Sequence, residues 1–195
     1  VAVCDTDPER SAEVAGWLRG VRAETDPAAV WAADDVDVVC ICTPPALHRS
    51  QAEAALRAGK DVICEKPLVG TVDEVDELAS IADETGRHVM PVFQYRFGNG
   101  LQKLKALVDA GLTGRAYVVN MDLAWQRGQD YYAAPWRGRW DTELGGVLLT
   151  HAIHGLDMTM HVLGPPTSVW ARIETLVTVS YTHLRAHETV LDLVC

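Results

Sequence analysis

Short apolar runs rich in β-branched residues alternate with longer amphipathic stretches in the first half of this chain, and this alternation most constrains its fold. The clearest run spans 36–42, and the Thr-Pro-Pro turn that begins at its end leads into an amphipathic stretch at 48–58. Continuous apolar runs are typical of strands that are covered on both faces in a parallel sheet. Strands and helices at this spacing form βαβ units with right-handed crossovers. We therefore predict an α/β fold with a doubly wound parallel sheet.

The predicted elements bring polar residues to one edge of this sheet. We expect strands at 1–4, 36–42, 61–64 and 88–93, and helices at 8–19, 26–33, 48–58 and 71–86. Asp7 is the expected cap of the first helix, and Thr71 begins a capping box with Glu74. Ligands of such sheets bind at the carboxyl ends of the strands. The residues at those ends are Asp5, Thr43-Pro44, Glu65-Lys66-Pro67 and Gln94-Tyr95-Arg96.

The pattern changes after residue 97. We expect a helix at 101–110, a strand at 116–123, an aromatic and Arg-rich loop at 125–140, a helix at 145–163 and a strand at 168–176. Two strands make a poor sheet by themselves, so this part predicts an incomplete second α/β domain. The predicted division is a first domain at 1–97, a second domain at 98–178, and a tail at 179–195.

Both ends of the chain are unusual. The sequence has no initiator Met and begins at Val1 with an apparent buried strand, so we expect a further segment to precede it. The tail at 179–195 follows poorly from the strand before it, and we interpret it as a non-native segment. We therefore give His183 and His187 no functional weight, although their spacing resembles that of a metal pair.

Charge and cysteine usage exclude several classes of partner. Lys and Arg number 17 against 27 Asp and Glu, which gives a net charge of −10 and a field that repels nucleic acids and anionic membranes. The five cysteines form no CxxC motif, and no stretch approaches the about 18 apolar residues of a membrane span. We expect a cytoplasmic protein whose cysteines are free. Four of these lie in apolar runs and are predicted to be buried.

Four segments together resemble the Gfo/Idh/MocA family of oxidoreductases, which includes glucose-fructose oxidoreductase and inositol dehydrogenase. They are ICTPPALH at 41–48, AGKDVICEKP at 58–67, YRF at 95–97 and GGVLLTHAIH at 145–154. The resemblance implies a partial Rossmann-type, dinucleotide-binding domain at 1–97 and a partial substrate and oligomerisation α/β domain at 98–178. It also implies NAD(P) as cofactor and a sugar, polyol or related substrate. The same resemblance implies a homo-oligomer, a dimer or tetramer. The glycine-rich fingerprint of such a sheet belongs about 20 residues before its strand-end acid, which is ahead of Val1.

Asp5 is the predicted determinant of cofactor choice. A carboxylate at the end of this strand accepts hydrogen bonds from the ribose hydroxyls of the adenosine and repels a 2′-phosphate. We therefore expect NAD rather than NADP. The alternative is a structural acid in a strand-end turn.

Lys66 and His154 are the predicted catalytic residues. Partial desolvation lowers the pKa of an ammonium group toward neutrality, so that Lys66 could move a proton; the alternative is a surface Lys paired with Glu65. The resemblance implies that His154 takes the hydroxyl proton while hydride leaves the substrate. Thr150 stands where the family often has an Asp that orients this His, which leaves open whether Lys66 or His154 is the base. We expect the two side chains to meet beside the nicotinamide.

The remaining predicted site residues fall into two groups. The resemblance implies cofactor contacts from Thr43, Pro44, His48, Glu65, Lys66, Pro67, Trp136 and Arg137. Aromatic rings stack on sugars and guanidinium groups bind anions, so that the predicted substrate side comprises Arg96, Tyr131, Tyr132, Thr150 and Asp157. For Tyr131 and Tyr132 a packed interface loop is the alternative, and for Asp157 a role in steering His154.

Two alternatives concern the kind of site. His151, His154, Asp157 and His161 recur near one helix face, as zinc ligands do, but the first two are i,i+3 and no distant ligand is evident, so we predict no metal. The same fold could serve a lyase-like or glycosidase-like enzyme that oxidises its substrate only transiently. It could also serve a cofactor-binding sensor without turnover.

Overall fold

The structure, a computed structural model, describes residues 1–174 and 188–194. The chain divides into two compact units. The first unit comprises Val1–Thr43 and Leu47–Pro91, and the second comprises Val92–Cys195 together with Pro44–Ala46. No helix in the described part of the chain is long and apolar enough to cross a membrane.

Strands and helices alternate along the first unit. Their order is β1 (Ala2–Cys4), α1 (Pro8–Gly16), β2 (Arg22–Glu24), α2 (Pro27–Trp31), β3 (Val38–Ile41), α3 (His48–Arg57), β4 (Asp61–Cys64), α4 (Val72–Thr85) and β5 (Val89–Pro91). All pairings are parallel: β1 pairs with β2, and β3, β4 and β5 form a second sheet in that order. The predicted parallel α/β architecture is therefore confirmed.

Two helix caps form as the sequence predicts. The Asp7 carboxylate accepts hydrogen bonds from the backbone N–H groups of Glu9 and Arg10, which satisfies the first donors of α1. Thr71 and Glu74 form a reciprocal capping box at the start of α4. At the other end of α4, Gly86 adopts the left-handed conformation at φ 64°, which only glycine adopts without strain.

Strand β2 was not predicted. Its sequence, Arg-Ala-Glu, carries no apolar run and no strong strand preference. It forms because its backbone pairs with β1 in the register Ala2 to Arg22 and Cys4 to Glu24. Tertiary pairing here overrides local propensity.

The core of the first unit lies where α3 and α4 pack against β3 and β4. It is built from apolar side chains that include Leu56, Leu78, Val62 and Ile41. Along β3, Val39 and Ile41 are buried whereas Val38 and Cys40 are exposed. The run was predicted to be covered on both faces, but in the described residues helices bury only one.

The burial predicted for the cysteines is therefore wrong for three of them. Cys4, Cys40 and Cys42 are exposed and only Cys64, which faces the helices, is buried; Cys195 lies outside the described residues. Burial raises the pKa of the Cys64 thiol to about 12. All four described cysteines are free.

The second unit combines helices, a long irregular segment and one antiparallel pair of strands. It contains α5 (Asn99–Asp109), the short helices α6 (Gln129–Tyr132) and α7 (Trp140–Glu143), a π-helical turn at Leu148–Ala152, α8 (Ile153–Leu163), and the antiparallel strands β6 (Ser168–Glu174) and β7 (Glu188–Val194). His183 and His187 lie outside the described residues. The predicted non-native tail and the domain bounds at 97 and 178 stay predictions.

The strand predicted at 116–123 does not form. Its side chains are largely exposed, Tyr117 at 83%, and its backbone pairs with no strand among the described residues. A β-branched run without a partner for its N–H and C=O groups gains nothing from extended pairing. The end of the segment instead crosses α8 at Gly155, where a Cβ atom would overlap the Met121 sulfur and the Leu123 side chain.

We expect Thr71→Ala to lower the free energy of unfolding of the first unit by about 1 kcal/mol, because the first turn of α4 loses its side-chain acceptor. The Thr71 hydroxyl accepts from the backbone N–H of Glu74 at 3.3 Å. Urea denaturation followed by circular dichroism measures the loss. Ser80→Ala on the exposed face of the same helix is the control and should change stability by less than about 0.5 kcal/mol. Equal effects of the two changes would contradict the assigned cap.

Candidate functional site

The carboxyl ends of β3 and β4 lie side by side. The parallel register places Ile41 opposite Cys64, and the backbone N–H of Glu65 donates to the Ile41 carbonyl at 2.9 Å. The next residues along each strand are therefore neighbours at this edge of the sheet. These are the turn at Thr43 and the Glu65-Lys66-Pro67 segment, as the sequence predicts.

His48 joins these two turns. Its imidazole is 1% exposed, with Nδ1 at 2.7 Å from the Pro67 carbonyl oxygen and Nε2 at 2.8 Å from the Thr43 carbonyl oxygen. A neutral imidazole donates its one N–H to one of these two carbonyl oxygens and packs against the other, so the buried ring lies directly between the two segments. The geometry thus gives His48 a positioning role, and its predicted contact with a cofactor stays a prediction.

Lys66 lies in the middle of this edge and is half-buried. Its backbone N–H donates to Glu65 Oε2 at 3.1 Å, so the Glu65 carboxylate folds back over its own turn. The Lys66–Pro67 peptide bond is cis and Pro67 is fully buried. The segment is therefore fixed by the sheet on one side and by His48 on the other.

Asp5 and Thr43 complete the predicted cofactor side of the first unit. Asp5 follows β1 and is half-buried, and its Oδ1 accepts the backbone N–H of Asp7 at 2.9 Å. A carboxylate offers about four acceptor positions, so this bond leaves Asp5 able to accept others. The Thr43 hydroxyl donates to Gln51 Oε1 at 2.8 Å. Pro44 is half-buried.

In the second unit His154 lies on the first turn of α8 and is 5% exposed. Two aromatic rings border its imidazole. The Tyr95 ring is tilted by 52° at a centroid distance of 4.7 Å, and the Phe93 ring stands nearly perpendicular at 6.3 Å. Phe93 was not predicted as a site residue, and Tyr95 was predicted only as part of the Gln94-Tyr95-Arg96 strand end, without a role of its own.

Arg96 and Asp157, two of the predicted substrate contacts, bind each other. Asp157 is 4% exposed and Arg96 Nε lies 2.8 and 3.0 Å from its two carboxylate oxygens, with a further bond from Nη2. The hydrogen bond to Asp157 raises the pKa of the Arg96 guanidinium above its ordinary value. The same guanidinium carbon lies 5.5 Å from the centroid of Phe93.

Thr150 and His151, on the π-helical turn, belong to a second hydrogen-bonded group. The Thr150 hydroxyl donates to the Gly146 carbonyl at 3.2 Å and lies 2.8 Å from His151 Nδ1, which can donate to it. His151 Nε2 lies 3.1 Å from the Tyr131 hydroxyl, and Arg137 donates to that hydroxyl. These bonds give one direction of donation, from Arg137 through Tyr131 and His151 to Thr150.

The aromatic loop packs around Arg137. Its guanidinium lies 4.0 Å from the Tyr131 ring centroid and 4.1 Å from that of Trp136, and 3.7 Å from the buried Glu143 carboxylate. Burial raises the pKa of the Tyr132 phenol, whose ring stands perpendicular to that of Tyr131. Tyr131, Trp136 and Arg137 thus form one stack. Tyr131 and Tyr132 are half-buried, and their predicted contact with a substrate stays a prediction.

The histidines of this region are not arranged as metal ligands. Within residues 1–174 and 188–194, no three His, Cys, Asp or Glu side chains form a group that could hold a metal ion. The geometry gives two of the candidates other partners. His151 lies between Thr150 and Tyr131, and Asp157 binds Arg96.

Comparison with known proteins identifies the family. Residues 1–93 match the model of an oxidoreductase family with an NAD-binding Rossmann fold, and residues 101–193 match the GFO/IDH/MocA C-terminal domain. Both models describe the same family and together they span nearly the whole chain. The chain therefore belongs to the Gfo/Idh/MocA oxidoreductase family, as the sequence motifs predict.

The named relatives include dehydrogenases of a glucoside and of inositol. The chain is 33% identical to the D-glucoside 3-dehydrogenase of Escherichia coli over 85% of this chain and 47% of that protein. It is 40% identical to an inositol 2-dehydrogenase of Rhodococcus erythropolis over 60% of this chain and 34% of that one. The WlbA dehydrogenase of Bordetella pertussis, solved with NADH and UDP-GlcNAcA, superposes with a TM-score of 0.87 at 31% identity, over 98% of this chain and 55% of its own. The chain thus spans about half the length of these proteins or less.

We expect His48→Ala to destabilise the first unit by about 3 kcal/mol, because it opens a cavity and removes the imidazole N–H that one of the Thr43 and Pro67 carbonyls accepts. The thermal midpoint or a urea titration measures this loss. His88→Ala is the matched control: its side chain is 80% exposed, and the backbone bond from His88 to Asp61 survives the change. A His48 variant as stable as the control would contradict the assigned clamp.

Proposed function

We propose that this chain is part of an NAD-dependent oxidoreductase that moves a hydride between a sugar-like or polyol CH–OH group and nicotinamide. The observation that carries the proposal is the adjacency of Thr43 and Glu65-Lys66-Pro67 at the carboxyl ends of two parallel strands. Such an edge is where α/β sheets bind their ligands. The match of residues 1–93 to an NAD-binding fold names that ligand class.

The residues that follow the parallel strands of the first unit suit NAD. Asp5 follows β1 with acceptor capacity beyond its bond to Asp7, as a ribose-binding carboxylate requires. The adjacent residues Thr6 and Asp7 add no cation that would hold a 2′-phosphate. The residues proposed to border the cofactor are Thr43, Pro44, Glu65 and Pro67. His48 packs between the turns at Thr43 and Pro67 and positions them. Trp136 and Arg137 are proposed as cofactor contacts from the second unit.

Lys66 and His154 are proposed to handle the proton. When NAD is bound, its nicotinamide ring supplies the hydride acceptor. The hydroxyl proton of the substrate then passes to Lys66 Nζ or to the His154 imidazole, since an amine and an imidazole both serve as general bases. Burial of His154 against two aromatic rings keeps water from the imidazole and limits its rotation.

The substrate class is proposed from the polar and aromatic groups of the second unit. Tyr131 and Tyr132 are proposed to border a sugar ring, and Thr150, whose hydroxyl also bonds Gly146 and His151, is proposed to lie beside them. The dehydrogenases of glucosides and inositol to which the chain is similar favour the same class. We also propose a cytoplasmic homo-oligomer whose partners are small molecules rather than nucleic acids or membranes.

Steady-state production of NADH tests the proposal. The protein is expressed from the complete reading frame of its gene and supplied with NAD and a panel of sugars, polyols and nucleotide sugars. Net NADH formation supports the dehydrogenase. Product without net NADH would overturn it in favour of a lyase-like or glycosidase-like reaction, and NAD binding without any product would overturn it in favour of a sensor.

Lys66→Ala should lower kcat by about 10²-fold or more, since a positioned acid–base group contributes about 10²–10⁴-fold, while the Kd for NAD changes little. Turnover and NAD titration on the same preparation measure the two effects. Lys103→Ala, on an exposed part of α5, is the control and should leave both unchanged. Comparison with His154→Ala then identifies the proton acceptor as the residue whose replacement lowers kcat more. Full turnover in the Lys66 variant would remove it from the mechanism.

Asp5→Ser should shift the preference from NAD toward NADP by about tenfold or more, which corresponds to about 1.4 kcal/mol, because the carboxylate that repels a 2′-phosphate is gone. The ratio of kcat/KM for the two cofactors measures the shift. Asp7→Ser is the matched control in the same turn, since Ser also caps a helix. An unchanged ratio in the Asp5 variant would make Asp5 a structural acid.

A further inference from the structure

We infer that Arg96 and Asp157 are positioning residues for His154 rather than substrate contacts. The ion pair ties the turn that carries Phe93 and Tyr95 to α8, so that both rings hold the His154 imidazole in one orientation. The catalytic consequence of this inference rests on the proposed function, whereas its structural content does not. The steps below concern the second unit alone.

Arg96 occupies the carboxylate of Asp157 and leaves it little access to a substrate. Arg96 presents one edge of its guanidinium to both oxygens of Asp157, and the carboxylate is 4% exposed. Planar two-point pairing of this kind is the strongest arrangement available to Arg and a carboxylate. A substrate hydroxyl would have to displace a charged donor to reach Asp157, and would leave a buried charge unpaired.

The turn at Gln94–Phe97 transmits this attachment to the rings. The backbone N–H of Arg96 donates to the Phe93 carbonyl at 3.1 Å, and the Gln102 side chain donates to the Arg96 carbonyl. The Arg96 guanidinium also lies over the Phe93 ring. Phe93, Tyr95 and Arg96 therefore belong to one compact turn, and fixing Arg96 fixes the two rings.

The segment at Gln94–Phe97 contacts α8 at two positions, which are one turn of the helix apart. Asp157 follows His154 by three residues, which places both on neighbouring positions of one helix face. At the first point Asp157 binds Arg96, and at the second the rings of Tyr95 and Phe93 border the imidazole at 4.7 and 6.3 Å. Two attachments prevent the turn from pivoting about either one.

Thr150 lies one helical turn before His154 and carries no charge. Its hydroxyl donates to Gly146, one turn back along the helix, and lies against His151 Nδ1. The ion pair of Arg96 with Asp157 lies about one helical turn after His154. Its loss should affect the orientation of the imidazole more than the affinity for NAD.

The His154 ring signals in an NMR spectrum test the inference directly. The 195-residue chain is labelled at histidine, and His154→Gln assigns the His154 signal among the seven histidines. The two aromatic rings should shift this signal away from that of the exposed His88. In Asp157→Asn the His154 signal should move toward the His88 position by more than half of the difference. Asp109→Asn, which breaks the exposed pair with Lys105 on α5, is the matched control and should leave the signal in place.

A second variant separates positioning from folding. Arg96→Met/Asp157→Leu removes both charges together, so that no buried charge is left unpaired and the unit keeps its fold, as thermal melting checks. Because the ion pair is absent, the His154 signal of the double variant should move toward the His88 position, as in Asp157→Asn. A folded double variant with the wild-type His154 signal would overturn the inference, and so would an unshifted signal in Asp157→Asn.

Kinetics of the enzyme from the complete reading frame give the catalytic consequence. The double variant should lower kcat at least tenfold and leave the Kd for NAD within twofold, because orientation of the proton acceptor is lost while cofactor binding is not. An unchanged kcat with a displaced His154 signal would overturn the catalytic part. If the unsubstituted enzyme reduces no NAD at all, the proposed function fails, and the NMR result still decides the structural part.

Discussion

The parallel pairing of β3 with β4 is the constraint on which the candidate site of the first unit depends. The backbone bond from Glu65 to Ile41 ends the ladder, and it sets which residues of the two following turns become neighbours. A slip by one residue would turn Val39 and Ile41 from the helices toward the open face. The alternation of buried and exposed residues along β3 thus fixes the register, and the register fixes where Lys66 lies.

The second unit fixes its candidate residues by other means. Its aromatic loop has little regular secondary structure, and rings and guanidinium groups supply the order that a sheet supplies in the first unit. Arg137 lies between the rings of Tyr131 and Trp136, and Arg96 lies over Phe93. Each of these cations also binds a buried carboxylate, Glu143 or Asp157. Such pairs give defined geometry at a considerable desolvation cost, which suits side chains that must be oriented.

The sequence predicted most of what depends on local signals. Apolar runs, the Asp7 and Thr71 caps and the strand-end turns gave the parallel α/β architecture and the adjacency of Thr43 with Glu65-Lys66-Pro67. It missed β2, whose Arg-Ala-Glu sequence becomes a strand only through its partner, and it wrongly predicted a strand at 116–123, where the partner is lacking among the described residues. Whether a segment forms a strand depends on its partner as well as on its own composition, so the composition of one segment is not sufficient to predict it.

The candidate site shows the same division. Motifs singled out Arg96, Asp157 and His154 separately, but spacing along a chain cannot show that Arg96 reaches Asp157 across 61 residues. The two residues were assigned to a substrate because each alone looks like a polar binding group. Tyr95 was noted only as part of a strand-end motif and Phe93 only as the end of a strand, because their packing against His154 is a contact between distant segments. Contacts between distant segments therefore decided the roles that residue types left open.

Gly155 makes the vicinity of His154 unusually intolerant of variation. The hydrogen atom at this position is what lets the thioether of Met121 and the tip of Leu123 rest on the helix backbone. A single added carbon would wedge the crossing segment outward, and the disturbance would surface more than thirty residues earlier in the chain than the change itself. Sequence variation at position 155 among related proteins should therefore correlate with changes at the positions of Met121 and Leu123 rather than with changes in α8.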